Sequence, residues 1–337
     1  MELLKSDTCA ISIWVTWLCN LNCSYCYEKA YRNDDNMTIE YAVKVIIFIE
    51  NHLKQMHANE CYIQFHGGEP LLNIEVIKYI VDALRRNVEV KYMFSLTTNG
   101  TLINNDIIDY FSTVFSEISV SIDGDRFTHS QNRVFLDGES SFDIVIQNSI
   151  NIANRMPIRV RMTITPDSVS LLSKNVIFLL SAGFDSIVPI LDYYCDGWDN
   201  TSMMRFRTEL DIIRKYMIEN NIDLNKVAYI SKRLMFRKLI KCNGGFQNLA
   251  INTNGDIYPC SFIVGDRDEI IGNASDGIDW ECVSRYQCIL EAFIEECKGC
   301  KLYDGCISKR CKFVNKRITG NYLLPSPIMC EMQKLQM

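Results

Sequence analysis

Short apolar runs rich in β-branched and aromatic residues recur through the first 190 or so positions, separated by longer stretches with helical apolar spacing. Residues 10–17, Ala-Ile-Ser-Ile-Trp-Val-Thr-Trp, read as a strand, and residues 61–65, 90–97, 115–122, 158–164 and 186–191 read alike. Between them, helical spacing predicts helices over 38–53, 73–85, 104–111, 141–154 and 168–180. Thr38 is placed to cap the first, and Ser140 or Ser141 the fourth. Six strands alternating with helices predict an α/β fold with a parallel sheet and right-handed crossovers. Such a sheet either closes partly, as a TIM-like partial (β/α)6 barrel, or stays open and doubly wound. In both, ligands gather at the C-terminal ends of the strands.

Beyond this region the pattern changes. Residues 202–220 and 225–240 read as helices of mixed polarity, and residues 249–260 as a hairpin with Asn254-Gly255 as a type I′ turn signal. No linker rich in Pro, Gly or Ser separates the halves, so the second is expected to pack on the first. The expected division is residues 8–195 for the α/β unit, 196–240 for a helical bridge and 241–337 for a cysteine-rich extension.

The strand ends carry the polar and glycine-bearing segments. Cys19, Cys23 and Cys26 follow the first strand, and His66-Gly67-Gly68-Glu69-Pro70 the second. Thr97-Thr98-Asn99-Gly100 follows the third, and the fourth ends in Ser121 and Asp123. The fifth runs into Thr163, Thr165 and Pro166, and the sixth into Asp192 and Cys195. Their shared placement points to one site.

Composition narrows the class. With 337 residues, 48% of them hydrophobic, the chain can bury a large core. A net charge of −6 argues against nucleic acid as the main partner. No apolar run is long enough for a membrane span, and the N-terminus lacks the apolar stretch of a signal peptide, so a cytoplasmic location is expected. In that compartment 15 cysteines argue for metal binding or catalysis over a disulfide framework. Cys9 and Cys61, within strands, are expected in the core.

The spacing Cys19-x3-Cys23-x2-Cys26 lets one short loop aim three thiolates at a common centre, as iron–sulfur clusters require. A zinc knuckle is the alternative, but structural zinc closes with four protein ligands and no fourth Cys or His lies nearby before His52. With Tyr25 ahead of its last cysteine, this loop resembles the signature of the radical S-adenosylmethionine (radical SAM) enzymes. The resemblance implies a [4Fe-4S] cluster with one iron free to chelate the amino and carboxylate groups of SAM. One electron then splits SAM into methionine and a 5′-deoxyadenosyl radical, which abstracts hydrogen from substrate. Gly67, Gly68, Glu69 and Pro70 resemble the family's glycine motif, which holds the SAM amino group. Tyr25, Asn99, Ser121 and Asp123 join the implied SAM contacts. The segment from His129 to Arg133 is similar to one common in peptide-modifying members, with Arg133 suited to the SAM carboxylate.

Cys242, Cys260, Cys297, Cys300, Cys306, Cys311 and Cys330 resemble the SPASM extension, which holds up to two auxiliary [4Fe-4S] clusters, three in all for the chain. By the family's pairing, Cys242, Cys260 and Cys311 bind the first auxiliary cluster, its fourth position open or closed by Cys282 or Cys288. Cys297, Cys300, Cys306 and Cys330 bind the second. Four residues rather than three separate Cys306 from Cys311. A zinc ribbon built from Cys297, Cys300, Cys306 and Cys311 is the alternative.

Members with both parts mostly modify peptides or proteins, by cross-linking, oxidation or epimerisation. A peptide substrate and an external one-electron donor such as flavodoxin or ferredoxin are the implied partners. With 18 residues ahead of Cys19, a leader peptide is expected to be recognised by a separate protein, by the barrel, or not at all. Sulfatase-maturating members typically carry an acidic base after the second SPASM cysteine, where this chain has Ser261, with Asp266 and Asp268 nearby. That tilts the expectation toward another peptide modification. Cys195 is a candidate hydrogen-atom donor and Asp266 a candidate base. A radical SAM enzyme on a small molecule, and a non-enzymatic iron–sulfur or zinc protein, are the remaining alternatives.

Overall fold

The computed structural model describes residues 7–230 and 242–335. Six parallel strands, β1 Thr8–Thr16, β2 Glu60–Gly67, β3 Lys91–Thr98, β4 Phe115–Ser121, β5 Ile158–Ile164 and β6 Ile187–Leu191, pair in chain order. The crossovers contain α1 Ile39–Met56, α2 Ile74–Leu84, α3 Asn105–Val114, α4 Arg126–Asn132, α5 Phe142–Ala153 and α6 Leu172–Ser181, and α7 Asn200–Glu219 follows β6. Thr38 caps α1 by accepting from the Tyr41 N–H. Ser140 Oγ accepts from the first N–H of α5, while Ser141 Oγ donates to the Arg133 carbonyl.

The strands are two-faced because side chains alternate. Ile11, Ile13, Ile63, Phe65, Phe94, Leu96, Ile118, Val120, Val160 and Met162 are fully buried and belong, with the helices, to one core. Each such side chain contributes roughly 1.5–3 kcal/mol of burial. The opposite face carries Gln64, His66, Ser95, Thr97, Glu117, Ser121, Arg161 and Thr163, all half-buried. A concave sheet with a polar inner face is a binding surface and not a second core.

β6 forms one end of the sheet; besides β5 it meets, among the described residues, a single-residue parallel bridge from Ile187 to Val227. The barrel is therefore partial. On the other side β1 gains a further parallel neighbour, β7 Asn248–Ile251, through Ala10–Ile13. Antiparallel β8 Asp256–Tyr258, β9 Gly272–Asn273 and β10 Gly277–Ile278 extend the sheet to ten strands. The cysteine-rich extension thus shares hydrogen bonds with the strand that leads into the three-cysteine loop. It continues with α8 Trp280–Glu291, α9 Ile307–Arg310, α10 Lys312–Thr319 and α11 Pro327–Leu335.

Three local expectations are corrected. The hairpin turn is not type I′, which needs positive φ at both central residues. Only Gly255 is left-handed, at φ 83°. Asn254 instead accepts from the Asp256 N–H and donates to its carboxylate, which satisfies the tip locally. The helix expected over 225–240 fails at its start: Leu224–Lys226 makes one 3-10 turn and Tyr229 adopts φ 68°. Residues 231–240 of that span lie outside the described residues. α4 was not expected, since it lacks an apolar stripe; Asp125 nucleates it by accepting from the Thr128 N–H.

Candidate active site

The loop after β1 is set by the backbone beneath it. β1 changes register against β2 between Trp14 and Thr16, a bulge that re-aims the chain as it leaves the sheet. Thr16 Oγ1 then accepts from the Leu18 N–H at 3.0 Å and donates to Asn36. Gly68 N–H donates to the Thr16 carbonyl at 3.0 Å, and Glu69 N–H to that of Leu18 at 2.8 Å. A Cβ on Gly67 would lie 2.3 Å from the Thr16 oxygen, and one on Gly68 2.3 Å from that of Leu18. The two glycines are therefore a platform on which the start of the cysteine loop rests.

Cys23 is buried, and Cys19 and Cys26 are half-buried. Each sulfur lies within electrostatic reach of the next. Cys19 Sγ accepts from the Leu21 N–H at 3.4 Å and faces the Asn99 amide at 3.9 Å. Arg32 Nη2 donates to Cys26 Sγ at 3.3 Å, while its Nη1 holds the Leu21 carbonyl. Burial raises the Cys19 and Cys23 thiols, while the Arg32 guanidinium acts the other way on both and the Leu21 N–H on Cys19, the direction an anionic [4Fe-4S] ligand set needs. Tetrahedral zinc needs its donors on one centre. Among the described residues no group of three or more His, Cys, Asp or Glu side chains, the three loop cysteines included, is arranged to hold a single metal ion.

Beside the loop lies a buried hub. Asp123, 1% exposed, accepts from the Tyr25 hydroxyl, from Arg133 Nε at 3.1 Å and from the Thr163 N–H at 3.0 Å. Arg133 also stacks over the Tyr25 ring, 5.3 Å from its centroid. Asp123 thus accepts from three protein donors and holds Tyr25 and Arg133 in place.

His129 supports the hub from behind. Its Nδ1 accepts from the Asp123 N–H, so Nε2 carries the proton and donates to Ser141 Oγ at 3.0 Å. Burial holds this imidazole down to about 4, well below its ordinary 6.5. The folded state therefore favours the neutral ring, and the stability this provides is lost as pH falls from about 6.5 to about 4. Linkage gives about 2 kcal/mol lost by pH 5 through this group. Urea unfolding at pH 7 and pH 5 checks it: His129→Gln should flatten the pH dependence, and an unchanged slope would refute the assignment.

The other candidates sit as follows. Glu69 is fully buried, and its carboxylate accepts from Leu71 N–H, Thr98 Oγ1 and Asn99 N–H at 3.1, 2.7 and 2.7 Å. It ties the glycine platform to the end of β3. Pro70 opens the 3-10 turn Pro70–Asn73 ahead of α2. Asn99 links Cys19 to Asn20, donating to the Asn20 Oδ1 at 2.8 Å. Ser121 is half-buried on the inner face, opposite Arg161. Cys195 is half-buried at the exit of β6. Asp266 caps a 3-10 turn by accepting from the Asp268 N–H, so its carboxylate has a structural task. Cys9 and Cys61 are buried partners across β1 and β2.

In the extension the cysteines act on one another electrostatically, and Cys311 feels both Cys242 and Cys306. Burial raises the Cys260 thiol to about 12, and Cys242 and Cys311 add to that. Cys330 feels Cys306, Cys297 and Cys300. Lys312 helps to set Cys311 in place: its Nζ donates to the Ile289 and Leu290 carbonyls at 2.8 and 2.9 Å and to that of Ala292, at the end of α8.

Three residues at the mouth of the sheet were not singled out from the sequence, Arg32 and Glu28 in the loop and Arg161 on β5, while His66 on β2 was named only as the start of the glycine-bearing segment. Glu28 is buried, accepts from Trp14 Nε1 at 3.3 Å and is raised by burial to about 7. His66 stacks on Trp14 with centroids 4.7 Å apart. Burial lowers it to about 4, with the Arg161 charge contributing. Strand alternation was the available signal for His66 and Arg161, since both lie in register with inner-face residues; nothing in the sequence marked Glu28.

Residues 15–168 match the Radical SAM superfamily. The chain is 23% identical over 351 residues to the radical SAM cyclopropyl synthase TigE of Paramaledivibacter caminithermalis, covering 97% of this chain and 72% of that protein. It is also 23% identical over 325 residues to a cysteine-type anaerobic sulfatase-maturating enzyme of Clostridium perfringens, covering 87% and 86%. Its fold superposes on native anSMEcpe with bound AdoMet and Kp18Cys peptide at a TM-score of 0.78, covering 97% and 96% of the two chains at 21% identity. No helix among the described residues is long and apolar enough to cross a membrane. Fold, loop and sequence agree: residues 15–168 match the Radical SAM superfamily, and the chain is similar in sequence to TigE and to the anaerobic sulfatase-maturating enzymes.

Proposed function

We propose that the chain is a maturase that uses SAM to modify a residue of a peptide. The observation that carries this reading is the loop of Cys19, Cys23 and Cys26, seated on Gly67 and Gly68 at the open mouth of a sheet with a polar inner face. When bound, the cluster and SAM would supply a 5′-deoxyadenosyl radical able to take a hydrogen atom from the substrate. The chain's own residues hold and orient. The Gly67-Gly68 backbone would take the SAM amino group and Arg133, kept in place by Asp123, its carboxylate. Asn99 and Ser121 would flank the nucleoside, and the half-buried inner face would receive the peptide. The peptide reading is supported by the peptide bound to the anSMEcpe fold.

In the extension, Cys242, Cys260 and Cys311 would hold one auxiliary cluster and Cys297, Cys300, Cys306 and Cys330 another, with flavodoxin or ferredoxin as the type of external electron donor. A separate protein that recognises the leader fits the same scheme. Cys195 would serve as hydrogen-atom donor where the reaction is an epimerisation. The kinship with a sulfatase-maturating enzyme favours a second reading, formylglycine formation, in which the modified cysteine loses its sulfur. Product mass separates it from a cross-link or an epimer.

The test is anaerobic reconstitution with iron and sulfide, followed by incubation with SAM and dithionite. About 11–12 irons per chain with 5′-deoxyadenosine formed is the expected result. Cys23→Ala should remove about four irons and all SAM cleavage. Bound zinc without iron or deoxyadenosine would overturn the reading.

A further inference from the structure

Arg161 lies on the inner face of β5, alternating with the buried Val160 and Met162. Its register partner on β4 is Ser121, one of the candidate SAM contacts. The other inner arginine of β5, Arg159, pairs with Glu117 at 2.8 Å. Arg133 pairs with Asp123. Arg161 alone of the three has no ion pair or side-chain hydrogen bond among the described residues. Outside the described residues the sequence offers a single carboxylate side chain, Glu2; residues 231–241 contain no Asp or Glu.

A partly desolvated guanidinium without a counter-charge is costly, and folded chains normally pair it. Here burial works against the Arg161 charge; the groups it feels are Tyr27, Arg159, Tyr229 and Glu117, the last already ion-paired with Arg159, and His66 in turn feels Arg161. Tyr27 follows the last cysteine of the loop, and His66 precedes the glycine platform. The cation therefore stands at the mouth where a substrate would meet the reacting centre. The guanidiniums felt by Cys23 are Arg133 and Arg32, which separates Arg161 from the pair closest to the cysteine loop.

Resting on the peptide-substrate reading above, we infer that Arg161 anchors a carboxylate of the substrate peptide next to the residue that is modified. The planar fork of the guanidinium takes a carboxylate through two parallel hydrogen bonds, which fixes orientation as well as position. A peptide carries carboxylates in two places, on Asp or Glu side chains and at its C-terminus.

The experiment uses the full-length chain, reconstituted and loaded with SAM under anaerobic conditions. Two randomised peptide pools are offered, one with amidated C-termini and all residue types, the other with free C-termini and no Asp or Glu. Retained peptides are sequenced by mass spectrometry. Wild type should enrich carboxylate-bearing peptides about tenfold over their amide counterparts in one of the two pools, and the pool that responds identifies the source. Arg161→Gln should abolish the enrichment, Arg161→Lys should keep part of it, and Arg161→Glu should turn the preference toward Lys and Arg. Unfolding midpoints of the variants show whether each is folded, and the lysine variant keeps the test decisive if the glutamine one is not.

Absence of carboxylate enrichment in wild type, or its survival in Arg161→Gln, overturns the anchor. A loss of SAM affinity in Arg161→Gln as large as the loss of peptide preference would assign the charge to the cofactor and also overturn it. Peptides retained and modified without carboxylate preference would leave the maturase reading standing. SAM cleavage with no peptide retained from either pool would sink both.

Discussion

Gly68→Ala lowers SAM cleavage about a hundredfold and depletes the iron held by the three-cysteine loop. That is the expected result of adding one methyl group where none fits. The new Cβ would sit 2.3 Å from the Leu18 carbonyl oxygen and 2.6 Å from that of Trp17. Both obstacles are backbone, so no side chain can swing aside. Leu18 immediately precedes Cys19, and relief of the clash must move the loop by something on the order of 1 Å, a misplacement that costs about 10²-fold in rate. Gly183→Ala is the comparison, because its Cβ meets nothing within 4 Å although its φ is 93°. It carries about 1–2 kcal/mol of backbone strain and leaves cleavage near the wild-type rate. Wild-type cleavage and iron content in Gly68→Ala would refute the platform.

The second large effect is expected at the hub. Asp123→Ala strands the buried Arg133 charge and removes the acceptor of the Tyr25 hydroxyl and the Thr163 N–H. Breaking a buried pair by deleting one partner costs about 3–5 kcal/mol. Urea unfolding measures it. If the cost is the uncompensated guanidinium, removing that charge as well, in Asp123→Ala with Arg133→Met, recovers part of the loss. Additive losses in the double variant would show that the pair is not coupled. Because Arg133 loses its support, the single variant should also raise the KM for SAM.

The alternation of strands and helices was legible because each strand buries one apolar face against helices, and Ile-Ser-Ile or Ile-Gln-Phe states that burial directly. The three-cysteine loop was legible for a related reason: its ligands are local in sequence. Glu69 was read as a cofactor contact from its motif, but its three protein hydrogen bonds depend on β3 ending beside β2. The hub was half legible: Tyr25, Asp123 and Arg133 were each singled out, yet the bond from Tyr25 to Asp123 joins residues 98 positions apart. Arg161 was invisible because what distinguishes it is the lack of a partner, and pairing is settled only once register places Glu117 beside Arg159. The turn at Asn254-Gly255 misled for a chemical reason, since Asn can satisfy a turn through its side chain as readily as through a positive φ.

The parallel pairing of β1 with β7 has a consequence for biosynthesis. The partner of Ala10–Ile13 lies 238 residues downstream. At the usual pace of translation the ribosome needs roughly 10–50 s to cover that distance. During this interval one edge of the first-made strand, the one that leads into the cysteine loop, lacks its final neighbour. A product that terminates before Asn248 never acquires it. An unpaired strand edge is a template for aggregation, so truncated chains should be lost to aggregation or proteolysis instead of persisting as a shortened α/β domain.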